Sequence, residues 1–241
     1  MNTKIASAIE LMARDKPNEE ICGFIYHTLD VVNFFPCENI SSEKDREFEI
    51  SSDDYISCTK KGKILAIYHS HIASSEYGAN LTPADKELAD IMELPIRVFS
   101  LSESRWGEYI PTEYKISLVG EPFLWGEKDC FGLVRTFLRQ EKGIYINDYL
   151  RDDSFQSTDN NQIIENIEKE GYVDTGYTCL LKKHDVLLFN SGRVNIQHMA
   201  IYMGNSRILH HPLHMLSNIE IMNQKWHDRL RHVLRHKNDA K

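Results

Sequence analysis

The sequence predicts two domains of mixed character, an α/β unit followed by an α+β unit. Three observations support that division. A chain of 241 residues, 41% of them hydrophobic, is long enough to bury one or two cores. Charge is uneven: residues 1–112 hold 11 Lys and Arg against 19 Asp and Glu, whereas residues 113–241 hold 17 against 17. Between the halves, residues 111–121 carry Pro111, Gly120 and little periodicity. A domain at 1–112, a linker at 113–120 and a domain at 121–241 follow.

In residues 5–12, Ile5, Ile9 and Met12 share a helical face, and Asp15 and Pro17 close that helix. Residues 22–26 and 31–35 read as strands around a turn, and residues 47–50 as a short third strand. Residues 53–61 read as a helix ending at Gly62. Residues 64–69 form an apolar strand. Thr82 and Pro83 open a helix that runs to residue 92. Residues 96–101 and 106–110 suit strands. Helices and strands in that order make a compact α/β unit. In the second half, Asp129 caps a helix with Leu133, Val134, Phe137 and Leu138 on one face, ending at Gly143. Residues 148–161 read as a polar loop and 162–170 as a helix. Residues 186–189, 199–203 and 207–209 read as strands. The His- and Arg-rich tail, 225–241, reads as a solvated terminal helix.

Composition excludes several classes. No stretch of 18 apolar residues is present, so no membrane span is expected. Lys4, Glu10, Arg14, Asp15 and Lys16 interrupt the first 17 residues, which rules out a secretory signal and points to cytoplasmic synthesis. The five cysteines, at 22, 37, 58, 130 and 179, form no CxxC pair, which argues against a disulfide framework. A net charge of −8 without a broad basic surface argues against a nucleic-acid partner. No Gly-rich phosphate loop is present.

One group of residues has the makings of a metal site. His69 and His71 are two apart at the end of an apolar strand, so they point to the same face. Asp85 offers a carboxylate from the next helix. Three protein ligands plus a water is the pattern of a catalytic zinc, which lowers the pKa of that water. Glu20, just before a strand, could take the water's proton. The same Thr82-Pro83-Ala84-Asp85 string is also a good helix start, with Thr as N-cap and an acidic residue at N3.

A second group can activate a thiolate. Cys130 follows the cap Asp129, and a thiol at a helix N-terminus is expected to have a lowered pKa. His198 opens an apolar strand and His210 ends the next. Adjacent antiparallel strands could bring both to Cys130, with backbone N–H groups near the sulfur as an oxyanion hole. Taken alone, a cysteine at a helix start is more often a buried small residue, and a strand-edge histidine is more often structural.

Resemblance adds to both groups. Glu20-Ile21-Cys22-Gly23, His69-Ser70-His71 and Asp85 resemble the JAMM (JAB/MPN) zinc metallopeptidases over roughly residues 1–110. That likeness implies a cytidine-deaminase-like sandwich with one zinc on His69, His71 and Asp85. Glu20 would be the acid/base, and Thr82 stands where the family has a serine that stabilises the tetrahedral intermediate. Ile72 replaces the family's proline, and the loop 72–81 is longer than usual. Asp129-Cys130-Phe131-Gly132-Leu133-Val134, then His198 through Asn205, then Ile208-Leu209-His210, resemble the NlpC-type cysteine peptidases over about residues 120–215. That likeness implies a papain-like domain with Cys130 as nucleophile, His198 as base and His210 as the orienting residue. Phe131 stands where many members have serine. His211 points to the other face.

The two halves in this order resemble the tail assembly proteins of lambda-like siphophages. This implies a peptidase of the tail tip, in the virion or in a transient assembly complex. Its partners would be other tail tip proteins, and its substrate the stem peptide of peptidoglycan. Three roles stay open: a bifunctional zinc and cysteine hydrolase, an assembly protease that processes a tail protein, and a non-catalytic structural component.

Overall fold

A computed structural model of the chain describes residues 1–29, 31–151, 167–190 and 196–237. They divide into two compact units, one of Thr3–Lys115 and one of Met1–Asn2 with Ile116–Lys241. The stretch 113–120, expected as a linker, straddles that division.

The first unit is a mixed five-stranded sheet with helices on both faces. Its elements are α1 (Thr3–Asp15), β1 (Cys22–Thr28), β2 (Val31–Cys37), α2 (Ser52–Lys61), β3 (Lys63–His71), α3 (Pro83–Met92), β4 (Ile96–Ser100) and β5 (Arg105–Tyr109). The strand order is β2-β1-β3-β4-β5. Only the β3/β4 pair is parallel, and α3 supplies its crossover. Phe24, Ile67, Ile96 and Val98 form a core with Cys58 of α2 and Ala89 of α3. The opposite face carries Phe99, on which Arg14 of α1 stacks at 5.3 Å, and Trp106, whose Nε1 donates to Glu10 of α1 at 2.7 Å. The buried stripe of α1 is Ala6, Ile9 and Ala13; Ile5 and Met12 stand beside it.

Residues 47–50 are not a strand. Ile40 N–H donates to Glu49 O, and Asn39 bonds the backbone of Glu47 and Glu49, so this segment is a loop pinned by a side-chain amide. Its apolar Phe48 serves another purpose, described below.

The second unit is a helix on an antiparallel sheet of six strands. Its elements are α4 (Cys130–Lys142), β6 (Tyr172–Asp174), β7 (Val186–Phe189), β8 (His198–Gly204), β9 (Arg207–His210), β10 (Asn218–Ile221), α5 (Gln224–Arg229) and β11 (Leu230–His236). The order is β10-β9-β8-β7-β11-β6. Phe131, Val134, Phe137 and Leu138 of α4 pack on Val186, Leu188, Met199 and Ile201. Each such side chain contributes about 1.5–3 kcal/mol when fully buried. Leu187, Phe189, Ala200 and Ile208 form a second core on the other face. Gly143 ends α4 with φ 64°, the left-handed C-cap that glycine takes without cost.

The terminal segment corrects the expected solvated helix. Its helix stops at Arg229, and β11 lies inside the sheet between β7 and β6. Val233 and Leu234 are both fully buried because a central strand is covered on two faces. The helix expected at 162–170 and the loop at 148–161 fall largely on residues 152–166, outside the described residues.

Candidate functional site

In the second unit His198 and His210 meet, and Cys130 stands at the start of α4 against the backbone of Met199, the residue after His198. Asp129 accepts the Gly132 N–H at 2.8 Å and the Gly126 N–H at 2.9 Å, which caps α4 and sets Cys130 at its first position. Arg151, itself buried, donates to Asp129 at 2.6 Å and lies over the Phe131 ring at 4.7 Å. Burial alone would raise Asp129, but the Arg151 charge and bond and the two N–H groups outweigh it and hold the carboxyl below its usual range.

The sulfur of Cys130 accepts backbone N–H groups from Met199 and Phe131, which sets it near the start of β8. In the β8/β9 pair Ala200 stands opposite His210. Register therefore brings His198 Nε2 within 2.9 Å of His210 Nδ1. With Nε2 engaged, Nδ1 is the His198 nitrogen left for a thiol. Trp226 of α5 covers both rings, its centroid 5.5 Å from His198 and 5.1 Å from His210.

Burial works against the lowering of the thiol pKa expected at a helix start. Burial pushes Cys130 up to about 12, with the Asp129 charge adding to the rise. The N–H bonds and Arg151 act the other way and are outweighed. Burial, together with the His210, Arg229 and His211 charges, pushes His198 down to about 3. Both shifts favour the neutral forms, a thiol and an imidazole. A helix N-terminus helps a thiolate, but loss of water costs it more. His211 is buried and packs on Phe123 at 5.4 Å.

The first unit gathers the other four predicted residues and Thr82. Ile67 faces the α3 side of the sheet, and alternation puts His69 and His71 on that same side, under the N-terminus of α3. Asp85 Oδ1 lies 3.3 Å from His69 Nε2 and Asp85 Oδ2 lies 4.0 Å from His71 Nε2. Glu20 Oε2 is 3.5 Å from His69 Nδ1, and Glu20 Oε1 is 3.9 Å from His71 Nε2. All four residues are buried. Glu20 is held by its neighbours: Ile21 N–H donates to Ser70 Oγ, and Ser70 N–H to Ile21 O, both at 3.0 Å.

Three further features bear on a cation here. Both ring nitrogens of His69 are buried without a hydrogen-bond partner. His71 Nδ1 donates to Gly78 O at 2.7 Å, which leaves the Nε2 lone pair facing the carboxylates. Phe48 stacks on His69 at 4.6 Å and closes that side. The longer loop 72–81 thus supplies the Gly78 carbonyl that orients His71. Glu20, His69 and His71 offer ligand atoms within 4.8 Å of one another, and Asp85 lies 3.3 Å from His69 and 4.0 Å from His71, so both carboxylates are in reach of a small ion with bonds of about 2 Å. Thr82 accepts the Asp85 N–H at 3.1 Å, and Asp85 Oδ2 accepts the Thr82 N–H at 2.7 Å, so the pair also forms a capping box.

Three residues near the cysteine escaped the sequence reading. Arg151 lies in a segment without periodicity. Trp226 was assigned to the tail. Glu220, whose Oε1 is 3.6 Å from His210 Nε2, sits in a strand too short to announce itself.

Residues 120–235 match the NlpC/P60 family. The second unit therefore holds an NlpC/P60 domain, and the matched span includes Cys130, His198 and His210. Over 98% of its length the chain is 28% identical to tail tip assembly protein K of Escherichia phage N15, covering 96% of that protein. It is also 28% identical to tail tip assembly protein K of Escherichia phage lambda, over 78% of this chain and 89% of that one. A solved structure from Desulfitobacterium hafniense shares 20% identity over 44% of this chain and 78% of its own, with a TM-score of 0.37. The family match begins at residue 120, so the JAMM resemblance of the first unit rests on its own residues.

Proposed function

We propose that this chain is a phage tail tip protein whose Cys130 site is a cysteine peptidase acting on the stem peptides of peptidoglycan during DNA entry. The observation that carries this reading is the His198 Nε2 to His210 Nδ1 contact of 2.9 Å, with the Cys130 sulfur on the backbone N–H of the next residue, Met199. His198 Nδ1 accepts the thiol proton as the sulfur attacks a peptide carbonyl, and returns it to the leaving amine. His210 keeps the His198 ring in the orientation and tautomer that make this possible. Met199 and Phe131 N–H groups stabilise the sulfur as it becomes negative. Water then releases the acyl group from the sulfur.

For the first unit we propose a zinc peptidase site with His69, His71 and Asp85 as ligands. When bound, the ion would acidify a water and polarise a peptide carbonyl. Glu20 is placed to move a proton at its carboxylate, and the Gly78 carbonyl holds His71 in its ligating tautomer. The near full-length similarity to proteins named for tail tip assembly supports a second reading, in which one or both sites process a tail protein.

Particles carrying Cys130→Ala separate the two readings under the electron microscope. Complete tails that fail to inject support wall cleavage; missing tails support assembly processing.

A further inference from the structure

We infer that Glu220 is a positioning residue of the Cys130 site, keeping the His210 proton on Nε2 and so keeping His198 Nδ1 free to receive the thiol proton. This rests on the proposed Cys130–His198 pair. Strand β10 is an edge strand, and its register sets Asn218 opposite His210 and Glu220 opposite Ile208. Glu220 Oε1 reaches to 3.6 Å from His210 Nε2. That nitrogen is buried and makes no hydrogen bond of ordinary geometry, although the Asn218 side chain opposite also acts on the ring, and a buried polar atom costs free energy unless a charge or partner faces it. At this separation the carboxylate acts by its charge, and a shift of less than ~1 Å would make a hydrogen bond.

Trp226 fixes the carboxylate in place. Its Nε1 donates to the same Oε1, while its ring lies against both imidazoles. Arg229 stacks on the outer face of Trp226 at 5.1 Å. His210 is buried against the Trp226 ring, so the half-exposed Glu220 carboxylate faces it from the solvent side.

The consequence follows from proton counting. A neutral imidazole carries one N–H. With that proton on Nε2 of His210, facing Glu220, Nδ1 accepts from His198 Nε2–H. The His198 lone pair is then on Nδ1, and the proton of the Cys130 thiol can pass to it, leaving a thiolate and an imidazolium. With the proton on Nδ1 of His210 instead, His198 must accept at Nε2. Its own proton then faces the thiol, and the base is lost. The groups that act on the two rings are each other, His211, Arg229, Asn218 and Glu220. Glu220 is the carboxylate among them, and its charge raises the His210 pKa against the lowering by burial.

The test uses the full chain with nitrogen-15-labelled histidine, as wild type, Glu220→Gln, Glu220→Ala and His198→Ala. Nuclear magnetic resonance reads the His210 tautomer and pKa, and kinetics on a stem peptide read kcat and KM. In wild type His210 carries its proton on Nε2 at neutral pH. Both Glu220 variants shift it toward Nδ1, lower its pKa and cut kcat about tenfold with KM little changed. Glu220 is 43% exposed, so both variants are expected to fold. An unchanged His210 tautomer and pKa in both would overturn the role of Glu220 alone. An unmoved His210 Nδ1 signal in His198→Ala would overturn the pairing, and the inference with it.

Discussion

His198 Nε2 stands 2.9 Å from His210 Nδ1, and that contact decides which nitrogen of His198 can serve Cys130. Ranked effects follow. His198→Ala removes the base and is expected to lower kcat/KM by ~10²–10⁴. His210→Ala removes only orientation and is expected to cost less than loss of the base. Kinetics on a purified stem peptide check the order, and a larger loss in His210→Ala would contradict these roles.

Because Cys130 is pushed up to about 12, its thiol is protonated at rest. Alkylation by iodoacetamide, followed at the Cys130 peptide by mass spectrometry, is expected to be slow at about pH 7 and to climb steadily toward about pH 10. A fast rate that is flat across that range would mean a preformed thiolate–imidazolium pair.

Acid is expected to weaken the second unit. His198 falls from 6.5 to about 3 on folding, so the unfolded chain binds its proton first as pH drops. The stability linked to the neutral ring is complete above 6.5 and is lost as pH falls from there toward 3. Asp129, held below its usual range, adds a loss at lower pH. Denaturant unfolding at a series of pH values is expected to show a shallower decline for His198→Ala than for wild type. Parallel curves would show that His198 is not held neutral.

The buried Glu20, His69 and His71 group predicts a bound ion. Metal analysis of purified wild type is expected to find about one zinc per chain, lost in His69→Ala and in His71→Ala. Equal zinc in wild type and variants would remove the metal site from this account.

Much of this layout was legible in the residues. The apolar run into His69-Ser70-His71 gave β3, and period two put both imidazoles on one face. Asp129 and Gly143 marked both ends of α4, because a cap needs a short polar side chain at one end and a left-handed residue at the other. Strand β11 was hidden by its charges. His232 bonds Asp174 at 2.7 Å and Arg235 bonds Asp185 at 2.7 Å, so residues that look solvated are paired within the sheet. Phe48 looked like part of a strand because aromatic residues favour strands, yet its ring stacks on His69. The helix start at Cys130 is visible in sequence, whereas the burial that pushes its thiol up depends on strands far along the chain.

The most direct test is digestion of purified peptidoglycan by the full chain, wild type beside Cys130→Ala, with released fragments identified by mass spectrometry. Stem peptides cut by wild type and left intact by Cys130→Ala are the predicted result. Cleavage that survives in Cys130→Ala, or none by wild type, would contradict a cell-wall cysteine peptidase.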